Sequence, residues 1–435
     1  MMNTITFSEN NGKSGLLFRN KINLMVLLFL TLFLFDSGYL FAQSDIPDLI
    51  PYRKGDKWGY CDRDKEIIID TKYNYASPFY EGFASISLNN KHGFVDETGK
   101  EVTPFKYREA RDFSEGLAWV ELNSRYGFID KTGKEVTQIK YFSYSGFHED
   151  LAKINLNGMY GFIDKKGKEI ISLKYDDAGD FSDELALVVL KDKYGFIDKT
   201  GKEIIPLKYD DAGDFSEELA AVGVNGKSGF IDKEGKEIIP LKYDDAGNFS
   251  EGLACVKLNF KYGFINKTGN EVIPLKYDFA DDFHEGLAQV NLGGKEGKSG
   301  FITGGKVGFI DEIGKEVVPI IYDGACTFHE GLTWVNIGGK QNENGSFKDG
   351  KWGFINKKGK EITPLKYDRV SDFHDGLALV KLNFKYGFIN KKGTEVIPLK
   401  YDNADDFHEG LAKVSFDLSG SVGYIDKNGT EYWED

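Results

Sequence analysis

Gly195-Phe196-Ile197-Asp198-Lys199-Thr200-Gly201-Lys202-Glu203-Ile204-Ile205-Pro206-Leu207-Lys208-Tyr209, followed by Asp210-Asp211-Ala212-Gly213-Asp214-Phe215, is one copy of a pattern that fills most of the 435-residue chain. Asp198 and Gly201 bracket a turn, because Asp favours its first position and Gly the left-handed backbone that ends it. Residues 194–198 and 202–209 therefore read as an antiparallel hairpin. Leu219 to Val224 adds a third strand that bends through Asn225-Gly226 into the next copy. Each unit is expected to be a three-stranded antiparallel meander with an irregular, Asp-rich corner.

Gly59, Gly93, Gly127, Gly161, Gly195, Gly229 and Gly263 lie 34 residues apart, and Gly308, Gly353, Gly387 and Gly423 continue the series at spacings of 45, 45, 34 and 36. Residues 57–435 thus read as ten units plus a C-terminal stub, with 43–56 a short linker. Tyr recurs at one phase from Tyr73 to Tyr401, and Phe follows six residues later from Phe79 to Phe407. A lone 34-residue unit cannot bury a core of its own, so this aromatic pair is expected between stacked units. A sugar-stacking ladder of aromatics is the alternative.

The third strand alternates with period two: Ala118, Val120 and Leu122 face one way, Trp119 and Glu121 the other. Across the units the Trp119 position reads Ser85, Trp119, Lys153, Leu187, Ala221, Cys255, Gln289, Trp334, Leu379 and Lys413. Such freedom points to solvent.

Lys57-Trp58-Gly59-Tyr60 and Lys351-Trp352-Gly353-Phe354-Ile355, each in the setting of this turn pattern, resemble the WG-containing (KWG) β-repeat family of bacterial proteins. The resemblance covers residues 57–435, with Tyr, His, Ser or Val replacing Trp in most copies. It implies an all-β repeat protein, often exported, and brings no catalytic residues with it.

A formal charge of −14, with lysines alternating with carboxylates, argues against nucleic acid. The three cysteines, Cys61, Cys255 and Cys326, fall at different phases and read as apolar filler. Ile22 to Phe35 is a 14-residue apolar run preceded by Arg19 and Lys21. Membrane spans need about 18 residues or more, so residues 1–42 read as a secretory signal with a long n-region, cleaved after Ala42. An uncleaved anchor is the alternative. The mature chain is expected to carry no membrane span and to be periplasmic, outer-membrane-associated or extracellular.

Chemistry-bearing residues follow the repeat. His148, His284, His329, His374 and His408 share one turn phase. Asp176-Asp177-x-x-Asp180 and Asp210-Asp211-x-x-Asp214 offer oxygen ligands but lack an EF-hand spacing, so turn capping by Asp is the better reading. Gly226-Lys227-Ser228 lacks the glycine five residues earlier that a phosphate loop needs. No metal, cofactor or catalytic site is expected.

Two units are 11 residues longer, and the extra residues, Gly293 to Gly305 and Gly338 to Gly350, share one phase. They are expected to project side by side from one edge. The fold expected is an open, twisted, solenoid-like superhelix, with a closed propeller-like ring as the alternative. The atypical first unit, in which Lys65 replaces the turn glycine, would be its cap. The function expected is a non-catalytic protein-interaction scaffold of the bacterial envelope or exterior, with a carbohydrate or cell-wall binding module as the alternative. The candidate surface comprises Trp119, Leu187, Trp334 and Leu379, with Lys295, Phe301, Asn342 and Phe347 in the loops.

Overall fold

The turn read at Asp198 forms as its residues dictate: the Gly201 amide donates to the Asp198 carbonyl at 2.8 Å, and the Thr200 and Lys202 amides donate to the Asp198 carboxylate at 2.9 and 3.0 Å. This computed structural model describes residues 46–297, 302–342, 347–416 and 421–434. The signal-peptide reading of residues 1–42 and the loop residue Phe301 lie outside them.

The repeating element is a twisted antiparallel sheet. In one sheet an inner strand, Asp177–Ala178, pairs with a second, Leu185–Leu190, then a third, Lys193–Asp198, then an outer strand, Glu203–Tyr209. The sequence repeat is out of phase with this sheet: a unit counted from the third strand's glycine donates its hairpin to one sheet and its remaining strands to the next.

The glycine of the motif has a specific cause. Tyr194 pairs with Tyr209 and Phe196 with Ile205, so two residues of the third strand span four of the outer strand. The surplus bulges over Gly195, where an added Cβ would sit 2.7 Å from the Ile205 carbonyl oxygen and 2.8 Å from the Leu207 nitrogen. Pro206 sits within this bulge, a position that tolerates its missing donor.

Eleven such sheets form a closed propeller, not the open superhelix expected. The two incomplete ends of the chain complement each other. Residues 50–54, expected to be linker, form the second strand of the first blade, and Trp433–Glu434 from the C-terminus joins its inner edge in parallel register. The supposed stub supplies Val422–Asp426, the third strand of the eleventh blade. Trp58 meets Tyr424 edge-on at 5.8 Å across the seam, and Lys54 pairs with Glu434 at 3.0 Å. The open-array reading rested on comparing unit length with ordinary blades. Two-residue turns between second and third strands, as at Asn225-Gly226, and strands of no more than seven residues keep the blade short instead. Nor is the first unit a cap: Lys65, with φ 66°, completes the same turn beside the seam.

The core lies between blades. Phe196 packs on Phe215 of the next blade at 4.8 Å, within a cluster that also holds Ile205, Tyr209, Ala220 and Val222. All ten repeated tyrosines are buried, as are the partner phenylalanines apart from the part-buried Phe79 and Phe147. Because each blade is flanked by two others, both faces of its second strand are covered. That overturns the solvent-facing assignment of the Trp119 row: Ser85, Ala221 and Cys255 are buried, and Trp119, Leu187, Trp334 and Leu379 are part-buried.

Candidate functional site

Side chains at the variable row reach the next blade rather than solvent. Ser85 Oγ donates to the Ala110 carbonyl at 2.9 Å, and Lys153 Nζ to the Ala178 carbonyl at 2.8 Å. Trp119 lies against Tyr126 at 5.5 Å and Tyr144 at 4.7 Å, and Trp334 against Trp352 at 4.8 Å. Both indoles are part-buried, and the Arg111 guanidinium lies 5.5 Å over the Trp119 ring.

The Asp-rich corners are absorbed by the ring. The Asn225 amide donates to Asp210 Oδ2 at 2.6 Å while Lys193 of the preceding blade pairs with the same carboxylate, and Lys227 with Asp244, and Lys261 with Asp278, repeat the pairing at 2.6 Å. On the opposite rim Glu217 accepts from the Gly252 amide at 3.1 Å and pairs with Lys267 at 3.1 Å. These carboxylates latch neighbouring blades. Inner-strand carboxylates behave differently: burial pushes Asp112 and Asp214 up, and it takes Asp282, with Asp281 beside it, to about 6.

Apart from the seam, the two insertions that lengthen the repeat lie on one rim, where the second strand of each blade turns into the third. In blades eight and nine this turn is replaced by the two insertions, each forming a small hairpin: Lys295–Glu296 with Ile302–Thr303, and Lys340–Gln341 with Phe347–Lys348. Consecutive phase places them side by side, as expected. Asn291 fastens the first, donating to the Gly304 carbonyl at 3.1 Å and accepting from the Gly294 amide at 3.0 Å, while Lys257 of blade seven pairs with Glu296 at 2.8 Å. Lys295 and Asn342 are exposed. Phe347 instead turns inward, where only a glycine at 324 admits it: a Cβ there would lie 2.3 Å from its ring.

Flanking the hairpins, in blades seven and ten, the same turn carries Asn259-Phe260 and Asn383-Phe384. Phe260 is 79% exposed and Phe384 83% exposed, and both hold left-handed φ angles of 64° and 67°. Aromatic residues rarely accept that backbone region. Sequence reasoning missed both, although the signal was present: copies with the same two-residue turn carry Gly, Asn, Ser or Asp at this position.

Between blades eight and nine, below the hairpins, lies a cavity of about 360 Å³ lined by Phe279, Gln289, Asn291, Val307, Gly324 and Phe347 among others. Similar clefts occur at the same phase between blades seven and eight and between ten and eleven, lined by Lys257 and Tyr262 and by Lys381 and Tyr386.

The WG containing repeat family matches ten segments: residues 58–91, 93–126, 126–160, 160–194, 194–227, 229–262, 262–295, 308–340, 352–386 and 386–417. The chain belongs to this family. In this WG-repeat protein the matched segments follow the sequence repeat and so straddle blades. Among curated proteins nothing matches. Solved structures similar to it include a eukaryotic initiation factor (10% identity, TM-score 0.42, 89% of this chain and 95% of that one). Kluyveromyces lactis Hsv2 shows 9% identity and a TM-score of 0.31 over 69% of this chain and 89% of its own. The extracellular domain of a B. thetaiotaomicron one-component system shows 9% identity and a TM-score of 0.23 over 90% and 67%.

Proposed function

We propose that this WG-repeat ring is a non-catalytic scaffold of the bacterial envelope or exterior that docks a protein partner on the rim of blades seven to ten. One observation carries the reading. Phe260 and Phe384 stand exposed, in a strained backbone conformation, on either side of the two 11-residue insertions. Backbone strain of this kind costs about 1 kcal/mol or more per residue and is retained where a function needs it. Leu292 and Ile337, at the bases of the two hairpins, are 41% and 44% exposed and extend the apolar strip between them. Exposed apolar area gathered on one sector is the signature of an interaction surface. The apolar run at residues 22–35 supports export.

Peptide display against the purified ring tests this reading. Selected binders should bind the wild type and lose about ten-fold or more in affinity for Phe260→Asn with Phe384→Asn, in line with the loss of two aromatic anchors. Binders indifferent to both substitutions would remove the rim from the reading.

A further inference from the structure

We infer that the cavity between blades eight and nine is a receptacle for one aromatic side chain, Trp or Tyr, of a protein partner. This rests on the docking surface just proposed and names what the partner must present.

The chain contains its own controls. At the second-strand position where the neighbouring clefts carry Lys257 and Lys381, this one carries Asn291; where they carry Tyr262 and Tyr386 on the third strand, it carries Val307. On the facing inner strand, Phe279 and Asn403 are replaced by Gly324. Three substitutions at one interface each remove bulk or charge. The cleft between blades ten and eleven is as large, about 370 Å³ against about 360 Å³, so the substitutions change the lining rather than the space, exchanging a lysine and a phenol for Asn291 and Val307. A volume at the small end of the range of ligand pockets suits a ring rather than a whole cofactor.

Its walls set the chemistry. Phe279 and Phe347 provide aromatic surface, against which an inserted ring gains offset or edge-on contact. The polar group left over is Gln289. Its counterparts Ser85, Lys153 and Cys255 bond to the carbonyl of the next blade's inner strand, whereas the Gln289 amide makes no hydrogen bond to the described residues. Asp323, which also lines the cavity, is committed to Lys306 at 2.6 Å and to the Gly338 amide at 2.8 Å, which leaves the Gln289 amide to accept from an indole N–H or a phenol O–H. Asn291 is already committed at both ends of its amide to the first hairpin. A sugar ring, with hydroxyls on every edge, would leave most of them unpaired here, and burying such groups unpaired is costly. Exposed Leu292 and Ile337 at the bases of the hairpins, with exposed Phe260 and Phe384 in the flanking blades, give the rest of a polypeptide somewhere to lie, which a lone small molecule would not need.

Ligand-observed NMR on the full ring tests the assignment, with N-acetyl-tryptophanamide and N-acetyl-tyrosinamide as probes and an N-acetylglucosamine disaccharide as comparison. Val307→Tyr restores the residue that neighbouring clefts already hold, so it should fold, and with Phe347 already inserted over Gly324 the added ring narrows the cavity. The aromatic probes should give signal with wild type, fall about ten-fold in affinity with Val307→Tyr, weaken with Gln289→Ala, and be unchanged with Phe260→Asn and Phe384→Asn. Absence of aromatic-probe binding, equal binding to Val307→Tyr, or Val307-sensitive binding of the disaccharide alone would each overturn it. The rim variants separate the two readings: selected peptides that depend on Phe260 and Phe384 but ignore Val307→Tyr would keep the docking surface and remove the receptacle.

Discussion

Arg53 Nε donates to the Val422 carbonyl at 2.7 Å, joining residues 369 positions apart, and its guanidinium lies 5.7 Å from the Phe416 ring. Arg53 is 7% exposed, so the seam of the ring is held by a buried charge with directed bonds. Arg53→Ala should lower the unfolding free energy by about 2–4 kcal/mol, since acceptors lose a charge-assisted donor inside packed structure. Hydrogen exchange should rise first in residues 50–54 and 422–426. An unchanged denaturation midpoint would mean that the ring does not depend on this closure.

Gly195 offers a second test, because the motif glycine is explained by a bulge and not by a turn. Gly195→Ala places a methyl group 2.7 Å from the Ile205 carbonyl oxygen, so the outer strand must move. A loss of about 1–3 kcal/mol is expected from overpacking, measured by chemical denaturation. Gly226→Ala has open space around its Cβ and a φ of 72°, so its smaller loss comes from backbone strain alone.

These two sites show what could be read in advance. The hairpin at Asp198, the buried Tyr209 and Phe215, and the side-by-side insertions all follow from local turn chemistry and periodicity. Ring closure does not, because it depends on the rotation between blades, which no single repeat encodes. Its trace in the chain was the match between a first unit lacking an inner strand and a last unit ending after its third strand, with Ile50 to Lys54 in the place of Leu185 to Leu190. The Trp119 row was misassigned for a related reason: variability was taken for exposure, whereas the ring lets side chains as different as Ser85 and Lys153 satisfy the same neighbouring carbonyl. Val307 and Gly324 became legible only when the chain was compared with itself blade by blade.

Asp282 gives a pH-dependent prediction. Burial, then the Asp281 charge, raises its carboxyl to about 6, with His284 opposing. Between the ordinary carboxylate value and that point the folded ring holds a proton that the unfolded chain releases, so stability falls as pH rises through this window. Asp282→Asn removes the penalty. At pH 7.5 it should stabilise the ring by about 1–2 kcal/mol, the full shift being discounted for partial exposure, and at pH 4 it should have almost no effect. Denaturant midpoints at the two pH values measure the difference, and an equal change at both would assign the effect to packing instead.

Phe260 and Phe384 should show stability and binding moving in opposite directions. Asn tolerates the left-handed region better than any aromatic residue, so Phe260→Asn and Phe384→Asn relieve strain at φ 64° and 67° while removing little packing from side chains about four-fifths exposed. The double variant is expected to gain about 1–2 kcal/mol in unfolding free energy, since each site is independent and the two lie in different blades. Calorimetry should therefore report a higher midpoint for the same protein that has lost its selected peptides. A lower midpoint would show that the two rings contribute packing in the free ring, and the case for strain retained on behalf of a partner would fall with it.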